Sequence, residues 1–568
     1  MTKDLSTQST ETPENGIKGL KHWKHDLVAG IVVSLVSLPL SSGIAIASGA
    51  PPVYGLISSI IAGLIYPALG GSYVTISGPA AGLAPALVAA MVSLGGAGDA
   101  THVGAGYHKL LVVIFLVGVF QVIIAKTGLA KFAAIFPVAV VEGMLAAIGV
   151  LIFVKAIPLA VGTLHTGHPH GFVDYVQHIP GWLHTSITPA MIVGFATLAI
   201  MLLVSNKVAK KFKLFKIIPP HLWGVAVAVP LGIFLGLKSI NPKLLIQVPA
   251  NPFSGVHLPA FGDVFYDSSL WGAVAIGTLT LLLIDGVESL ATAQAIDRVD
   301  PYKRTSKPDR VLLAMGVSNM LSSLVGGLTV IPGGVKSKTN IEAGGRTLWS
   351  NFVNAMMLLI FLFIAPGLIS LIPTAALGGI LLYTGWKMAH PAIARHIAHI
   401  GMEQLLLYFI TIATTLLTDL LIGVAVGTVV KLVILAYYAH KEARLTDGKM
   451  STINILKSMF KDPIVTTVHD AENTVEVEIN GPLVCFNAFR LREHLVNIPK
   501  GTENVTIRVG DKAIVIDHTA IESIYASQSL LQEQHVDIID IDDMIALGEH
   551  KESIRLQSEQ RLRAAFQA

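Results

Sequence analysis

Residues 72–93 read SYVTISGPAAGLAPALVAAMVS, and residues 323–347 read SLVGGLTVIPGGVKSKTNIEAGGRT. Each starts as a short β-prone run, YVTI at 73–76 and LTVI at 328–331, then meets Gly and Pro inside otherwise apolar surroundings. A lipid-facing helix does not tolerate such a break, because in hydrocarbon each backbone N–H and C=O must find a partner within the protein. Unwound backbone at that depth is admitted only where protein or water surrounds it. Two breaks at matching positions point to the substrate site of an inverted-repeat transporter.

The rest of the chain fits a membrane setting. Of 568 residues, 52% are hydrophobic and 14% charged, against about 25% charged in ordinary soluble domains; the mean hydropathy is +0.65. A formal charge of +3 is too small to imply a nucleic-acid partner. Apolar runs fall at 27–48, 54–69, 79–94, 110–125, 130–154, 189–204, 217–237, 270–295, 311–325, 330–343, 348–371, 375–388, 405–417 and 420–438. They predict a polytopic α-helical membrane protein of about fourteen segments, two of them half-helices. The broken segments are third and tenth, hence third in each half. An odd number per half inverts one half against the other, a 7+7 inverted repeat.

Basic residues orient the chain. Stretches 126–131, 206–216, 298–310 and 387–399 all carry Lys or Arg, whereas 95–107 and 162–185 carry neither; Lys238 and Lys243 are exceptions in an otherwise poor loop. By the positive-inside rule both termini are expected in the cytoplasm, with the protein multi-pass in the cell (inner) membrane. Residues 1–15 have no signal-peptide apolar core, so the first apolar run is expected to remain as an anchor. The expected domains are a cytoplasmic segment 1–24, a transmembrane domain 25–440, a linker 441–463 marked by Lys441, Glu442 and Arg444, a small α/β unit 464–547, and a charged tail 548–568 that is helical or disordered. Within the α/β unit, strands are expected at 474–480, 505–509, 513–516 and 536–541, with helices at 487–496 and 519–534. That alternation predicts a partly parallel sheet.

A half-helix of about ten residues covers some 15 Å of the roughly 30 Å core, so each break is expected to place a helix N-terminus near the midplane. Unpaired N–H groups and partial positive charge make such ends an anion site. The candidate contacts are Ser77, Gly78, Pro79, Ala80 and Ala81 in one half, and Pro332, Gly333, Gly334 and Val335 in the other. The plainer alternative is that Gly and Pro only kink their helices.

Asp285 and Glu288 lie inside the eighth apolar run, where a carboxylate is costly and marks an ion pathway or a structural pair. Glu288 and Thr292 are four apart and share a helix face. Together they could hold Na⁺, or Glu288 could carry a coupling proton; a structural carboxylate paired with Lys336 is the alternative. Lys336 could attract the anion, neutralise Glu288, or snorkel outward as Lys338 would. Glu142 and Lys155, at the two ends of the fifth segment, read as interfacial. His165, His168, His170, His178 and His184 match no zinc spacing. Cys485 is the single cysteine, so neither an intrachain disulfide nor thiol-bound metal is expected. No Walker A loop occurs, no enzyme chemistry is indicated, and no cofactor is expected beyond Na⁺ as coupling ion.

Six stretches carry a resemblance: IAIASGAPPVYG at 44–55, VTISGPAAGL at 74–83, GMLAAIGVLI at 143–152, ESLATAQAID at 288–297, NIEAGGRT at 340–347 and TDLLIGVAVG at 418–427. Over nearly its whole length the chain resembles the SulP (sulfate-permease-like) anion transporters, whose membrane part is followed by a cytoplasmic STAS domain. The resemblance implies a uracil-permease-like fold, a core domain moving against a gate domain, and a homodimer. The wording is most similar to the subgroup often fused to a carbonic anhydrase, for which bicarbonate is inferred; no such enzyme follows in this sequence. It further implies Na⁺ at Glu288 and Thr292, as in the family's sodium-coupled members. Lys336 stands where Arg is usual, so bidentate anion contact is lost. In the STAS-like part, VIDHTA at 515–520 lacks the phosphorylatable Ser after Asp, leaving Thr519 as a poor substitute and His518 between. This implies a dimerising or scaffolding module that could also bind a cytoplasmic partner. The expected activity is secondary transport of a small inorganic oxyanion, bicarbonate first and sulfate (by proton symport or exchange) second. An anion channel and a membrane sensor signalling through the STAS domain are the rivals.

Overall fold

The computed structural model describes residues 12–561, apart from 100–101, 131–135, 165–170, 207–210, 212–217, 248–256, 365, 419, 446–450, 470–472, 500, 532–533, 548–552 and 559. The chain forms two compact units: the first comprises residues 1–130, 151–170 and 174–386, the second residues 131–150, 171–173 and 387–568.

The first unit is helical. It contains α1 (Trp23–Ala47), α2 (Pro52–Leu69), α3 (Ala84–Ser93) and α4 (Tyr107–Lys126); α5 (Val138–Val161) and α6 (Gly171–His184) straddle the division. There follow α7 (Thr188–Ser205), α8 (Pro220–Phe234), α9 (Trp271–Val299), α10 (Pro308–Leu324), α11 (Gly334–Glu342), α12 (Trp349–Ile364) and α13 (Thr374–Met388). Among the described residues of the chain, seven helical stretches are long and apolar enough to cross a membrane, one of them (Leu420–Arg444) in the second unit and one (Val138–Val161) divided between the two; α3, α8 and α12 are shorter apolar helices of the first unit. Helix α1 packs on α2 and α12, α4 on α10, and α9 on α3, α4 and α11. Small residues permit the closest of these approaches. A Cβ on Gly118 of α4 would lie 2.6 Å from the Gly316 carbonyl of α10, so backbones meet there as in small-residue membrane packing.

The stretch 162–185, expected to be a loop, contains α6. Phe172, Tyr175, Ile179 and Trp182 turn inward at helical spacing while His178 and His184 face out. Interleaved histidines and Pro180 hide that period in the sequence. His165, His168 and His170 lie outside the described residues.

The second unit holds α14 (Pro391–Ile400), α15 (Met402–Leu417), α16 (Leu420–Leu445) and α17 (Thr452–Ser458), then an α/β part with α18 (Phe489–Val496) and α19 (His518–Leu530). β1 and β2 belong to the first unit and are given below. The main sheet has the order β3 (Ile464–His469), β4 (Thr474–Ile479), β5 (Asn504–Val509), β7 (His535–Ile539), antiparallel at the β3 edge and parallel elsewhere. In register, Val477 sits beside Ile507 and Ile507 beside Ile538; these side chains close a core with Leu491, Leu495, Ile521 and Ile524. The expected partly parallel sheet is present.

Two boundaries differ from expectation. Helix α16 continues past Tyr438 to Leu445, and Leu435, Ala439 and Ala443 join a cluster with Val484, Cys485, Phe486 and Val515, so no linker begins at 441. Within the stretch expected to be a tail, β9 (Arg555–Leu556) pairs with β6 (Val515–Ile516) and β8 (Ile545–Ala546). Ser553 to Gln557 are all buried, polar and apolar alike, so that strand has no alternation to read.

Candidate functional site

The two breaks meet. β1 (Ser77–Gly78) runs antiparallel to β2 (Ile331–Pro332), with Ser77 opposite Pro332 and Gly78 opposite Ile331. Around this ladder the breaks are tied again. The Gly333 N–H donates to the Ile76 carbonyl at 2.7 Å, the Ile76 N–H to Ser337 Oγ at 2.9 Å, and Asn340 Nδ2 to the Val74 carbonyl at 2.8 Å. Asn351 of α12 brackets Ser77, accepting its N–H at 3.4 Å and donating to its Oγ at 3.3 Å. Each short β run thus satisfies the other, which is how irregular backbone survives within an apolar unit.

Helices leave the crossing on either side. After β2, α11 starts at Gly334 with Gly333 as N-cap, as expected. After β1 the chain makes a turn at Ala81–Leu83 before α3 starts at Ala84, three residues beyond the expected contacts. Pro85 then stands in the first helical turn, where its missing N–H costs no intrahelical bond. No backbone acceptor takes the N–H groups of Ala80, Ala81, Gly82 and Leu83 among the described residues, nor those of Gly334, Val335 and Lys336. Pro79 supplies no N–H. Ala81, Gly333 and Gly334 are partly open and Val335 is exposed, while Ser77, Gly78, Pro79, Ala80 and Pro332 are buried. Two groups of free donors therefore stand beside one crossing, an arrangement suited to an anion.

Helix α9 touches both breaks with one face. A Cβ on Gly82 would lie 2.6 Å from Glu288 Oε1, so the carboxylate rests against the turn before α3. One turn later, Thr292 Cγ2 lies 3.7 Å from the Cβ position of Gly334 at the start of α11. Glu288 is 9% exposed, and no hydrogen-bond partner reaches its Oε2 among the described residues. Asp285 is different. It is fully buried and receives Gln121 Nε2 at 2.6 Å, Asn319 Nδ2 at 3.1 Å and Ser289 Oγ at 3.2 Å.

Lys336 is 1% exposed and donates to Ser41 Oγ at 2.8 Å and Ser59 Oγ at 3.3 Å, directly behind Gly78. It does not snorkel, because α11 directs it into the helix pair α1–α2. Nor does it pair with Glu288, since no carboxylate lies within 4 Å of its Nζ among the described residues. Lys338 is exposed, as expected. Lys155 lies against the Tyr175 ring at 5.3 Å.

Sequence reasoning misses several partners. Ser41, Ser59, Gln121, Asn319 and Asn351 sit singly in apolar helices, where buried amides and hydroxyls are the available signal. It also misses a polar clasp at the other end of the breaks. Arg304 donates Nε and Nη2 to Asp300 at 2.7 and 3.0 Å, and Nη1 to the carbonyls of Pro13 and Arg346 at 2.7 and 2.8 Å, between the rings of Tyr73 and Tyr302. Asn15 joins the same clasp, donating to the Ser72 carbonyl at 2.6 Å and accepting the Leu348 N–H at 3.0 Å. Asp26 accepts the N–H groups of Arg346 and Thr347 at 2.7 and 3.0 Å. Among the described residues, no group of three or more His, Cys, Asp or Glu gathers that could hold a metal.

Crossed broken helices with facing donor ends, set in apolar helices, define a multi-pass membrane transporter. The Sulfate permease family model matches residues 23–411, and the chain belongs to that family of anion transporters. Relatives include the putative sulfate transporter YvdB of Bacillus subtilis, 28% identical over 72% of this chain and 72% of the relative. The bicarbonate transporter BicA of Picosynechococcus is 25% identical over 80% of this chain and 74% of the relative. Among solved structures, the transmembrane domain of a cyanobacterium bicarbonate transporter BicA superposes with a TM-score of 0.59 at 22% identity, covering 71% of this chain and 97% of that one. The murine Solute Carrier 26 family member A9 anion transporter in the inward-facing state gives 0.62 at 14% identity, covering 94% and 90%. At these identities the likeness to the solved structures is one of fold.

Proposed function

We propose that the protein is a secondary active transporter of a small inorganic oxyanion, with bicarbonate as substrate and Na⁺ as coupling ion. The observation that carries this reading is the β1–β2 crossing, which gathers the free N–H groups of 80–83 and 334–336 while α9 sets Glu288 against one group and Thr292 against the other. The anion occupies the space between Ser77–Ala81 and Pro332–Val335; Na⁺ sits at Glu288 and Thr292. Lys336 acts from behind Gly78 as a fixed charge without touching the anion. The reading includes a 7+7 inverted repeat, cytoplasmic termini, a C-terminal STAS domain and a homodimer.

Relatives described as bicarbonate transporters support bicarbonate as the first reading, and relatives described as sulfate transporters support sulfate as the second.

The test is uptake of labelled bicarbonate and sulfate into proteoliposomes with and without a Na⁺ gradient. Flux of neither anion under any gradient would refute the reading. Glu288→Gln should still bind anion yet fail to concentrate it. Unchanged accumulation would return Glu288 to a structural role and leave the coupling site unlocated.

A further inference from the structure

Asp285 and Glu288 are three residues apart on α9, but their surroundings assign them different work. Val330, immediately before β2, donates its backbone N–H to Asn319 Oδ1 at 2.6 Å. A backbone N–H can only donate, so it fixes which way the Asn319 amide points. Nδ2 must then face the other way, where it reaches Gln121 at 2.9 Å and Asp285 at 3.1 Å. Gln121 in turn must present Oε1 to Asn319, which leaves its Nε2 to donate to Asp285 at 2.6 Å. Both Asp285 oxygens therefore face donors, and every donor that reaches them is neutral.

The order of donors is closed. Starting from one peptide N–H, each amide orientation follows from the last, and the chain ends on a carboxylate that can only accept. A proton on Asp285 would oppose the amide donor at Asn319, or would require the Ser289 hydroxyl to turn round and accept it. All three side chains are fully buried, and both Asp285 oxygens are already engaged by neutral donors. Glu288, by contrast, has an oxygen with no partner.

We propose that Asp285, with Gln121 and Asn319, is a positioning residue for anion transport: the triad holds α4, α9 and α10 in register with the second break through the Val330 N–H, and carries no coupling ion. This rests on the transport reading above for its readout, and it removes Asp285 from the candidate coupling groups.

The geometry prescribes the test. In Asp285→Asn, either orientation of the new amide opposes one donor to another: at Asn319 when its NH2 group takes the place of Oδ2, and at Gln121 when it takes the place of Oδ1, or between Gln121 and Asn319 if Gln121 then rotates. Gln121→Glu alone opposes two carboxylates. Combined, Q121E and D285N satisfy every edge: Asn319 still donates to both partners, and the new amide at position 285 donates to the new carboxylate at position 121, with the Ser289 hydroxyl free to rotate. Anion KM and the Na⁺ dependence of uptake are measured for wild type, both single variants and the double. The single variants should raise the anion KM by about tenfold or more, because an opposed buried pair is left at the triad. The double should return KM to within about threefold of wild type and keep the wild-type Na⁺ dependence. A double variant that stays as impaired as the worse single variant, or that moves anion without responding to Na⁺, overturns the proposal. The double variant alone is decisive, so singles that fail to fold do not blunt the experiment. Absence of flux in the wild type would instead sink the transport reading.

Discussion

Gly82→Ala probes the contact between the first break and α9. Gly82 lies outside the left-handed region, so the substitution adds no backbone strain, and its whole effect comes from the new methyl. That methyl would meet Glu288 Oε1 at 2.6 Å and Cδ at 2.7 Å, well inside van der Waals contact. Overpacking of this kind costs about 1–3 kcal/mol. The Glu288 side chain is the softest neighbour, since its Oε2 has no bond to lose, so the carboxylate should swing away from the turn. If that carboxylate holds Na⁺, the same 1–3 kcal/mol appears as a rise of roughly five- to 150-fold in the Na⁺ concentration for half-maximal uptake. Anion KM at saturating Na⁺ should move less than about threefold. Gly334→Ala is the control, because its methyl would meet only Thr292 Cγ2 at 3.7 Å, an ordinary contact. The assay is initial-rate bicarbonate uptake in proteoliposomes across a Na⁺ series. Equal Na⁺ dependence in G82A, G334A and wild type would refute the assignment of the coupling ion to this spot.

Three further outcomes follow from other contacts. Lys336→Met keeps the shape of the buried stem and removes its charge; with Nζ beside Gly78, at most about 10 Å from the Ala80 N–H, the loss should weaken anion binding by about 1.7 kcal/mol at an effective dielectric near 20, roughly an eighteen-fold rise in Kd by titration calorimetry. Arg304→Ala leaves Asp300 and the carbonyls of Pro13 and Arg346 without their donor, which should destabilise the first unit by about 3–5 kcal/mol in thermal unfolding, whereas an exposed arginine such as Arg395 should give no measurable change. Burial, then the nearby charge of Asp517, pushes the Cys485 thiol well above its usual range; maleimide labelling should stay negligible between pH 7 and about 8.5 in the folded protein and begin only as the C-terminal part melts.

Why the breaks can be read and their pairing cannot is a matter of range. SGPAAG and IPGG break a helix through their own residues, by ring geometry, missing N–H groups and missing side chains. The pairing of Ser77 with Pro332 joins residues far apart in sequence, and nothing local encodes it. The same holds for Gly82 against Glu288. Lys336 is legible as a charge out of place, yet its direction depends on Ser41 and Ser59, two ordinary hydroxyls on other helices. In the second unit, TVEVEI shows alternation and reads as a strand. β3, IVTTVH, does not, because as an edge strand it leaves most of its side chains half or fully exposed. The segment 13–16 reads as polar chain with a proline, and only its contacts with Arg304, Ser72 and Leu348 give it a place.

The junction of α16 with the C-terminal part carries the last prediction. Lys431 Nζ lies 3.1 Å from Asp517 Oδ2, both residues essentially fully buried. Asp517 also caps α19 by accepting the Ala520 N–H at 3.0 Å, and takes the Cys485 N–H at 3.1 Å. One carboxylate thus joins α16, the loop before α18 and the start of α19. In that same turn, Thr519 Oγ1 accepts the Val138 N–H at 3.4 Å, and His518 is buried. A buried pair is weak evidence for stability taken whole, but losing one partner strands the other charge. Lys431→Met should therefore destabilise this unit by about 3–5 kcal/mol, seen as early exposure of Cys485 to maleimide on heating. Lys431→Met with Asp517→Asn should recover part of that loss, because the neutral amide keeps an oxygen for the α19 cap and leaves no charge uncompensated, while its NH2 group turns toward the Cys485 N–H. Additive destabilisation in the double variant would mean that Asp517 acts through its cap alone and that the contact with α16 holds nothing together.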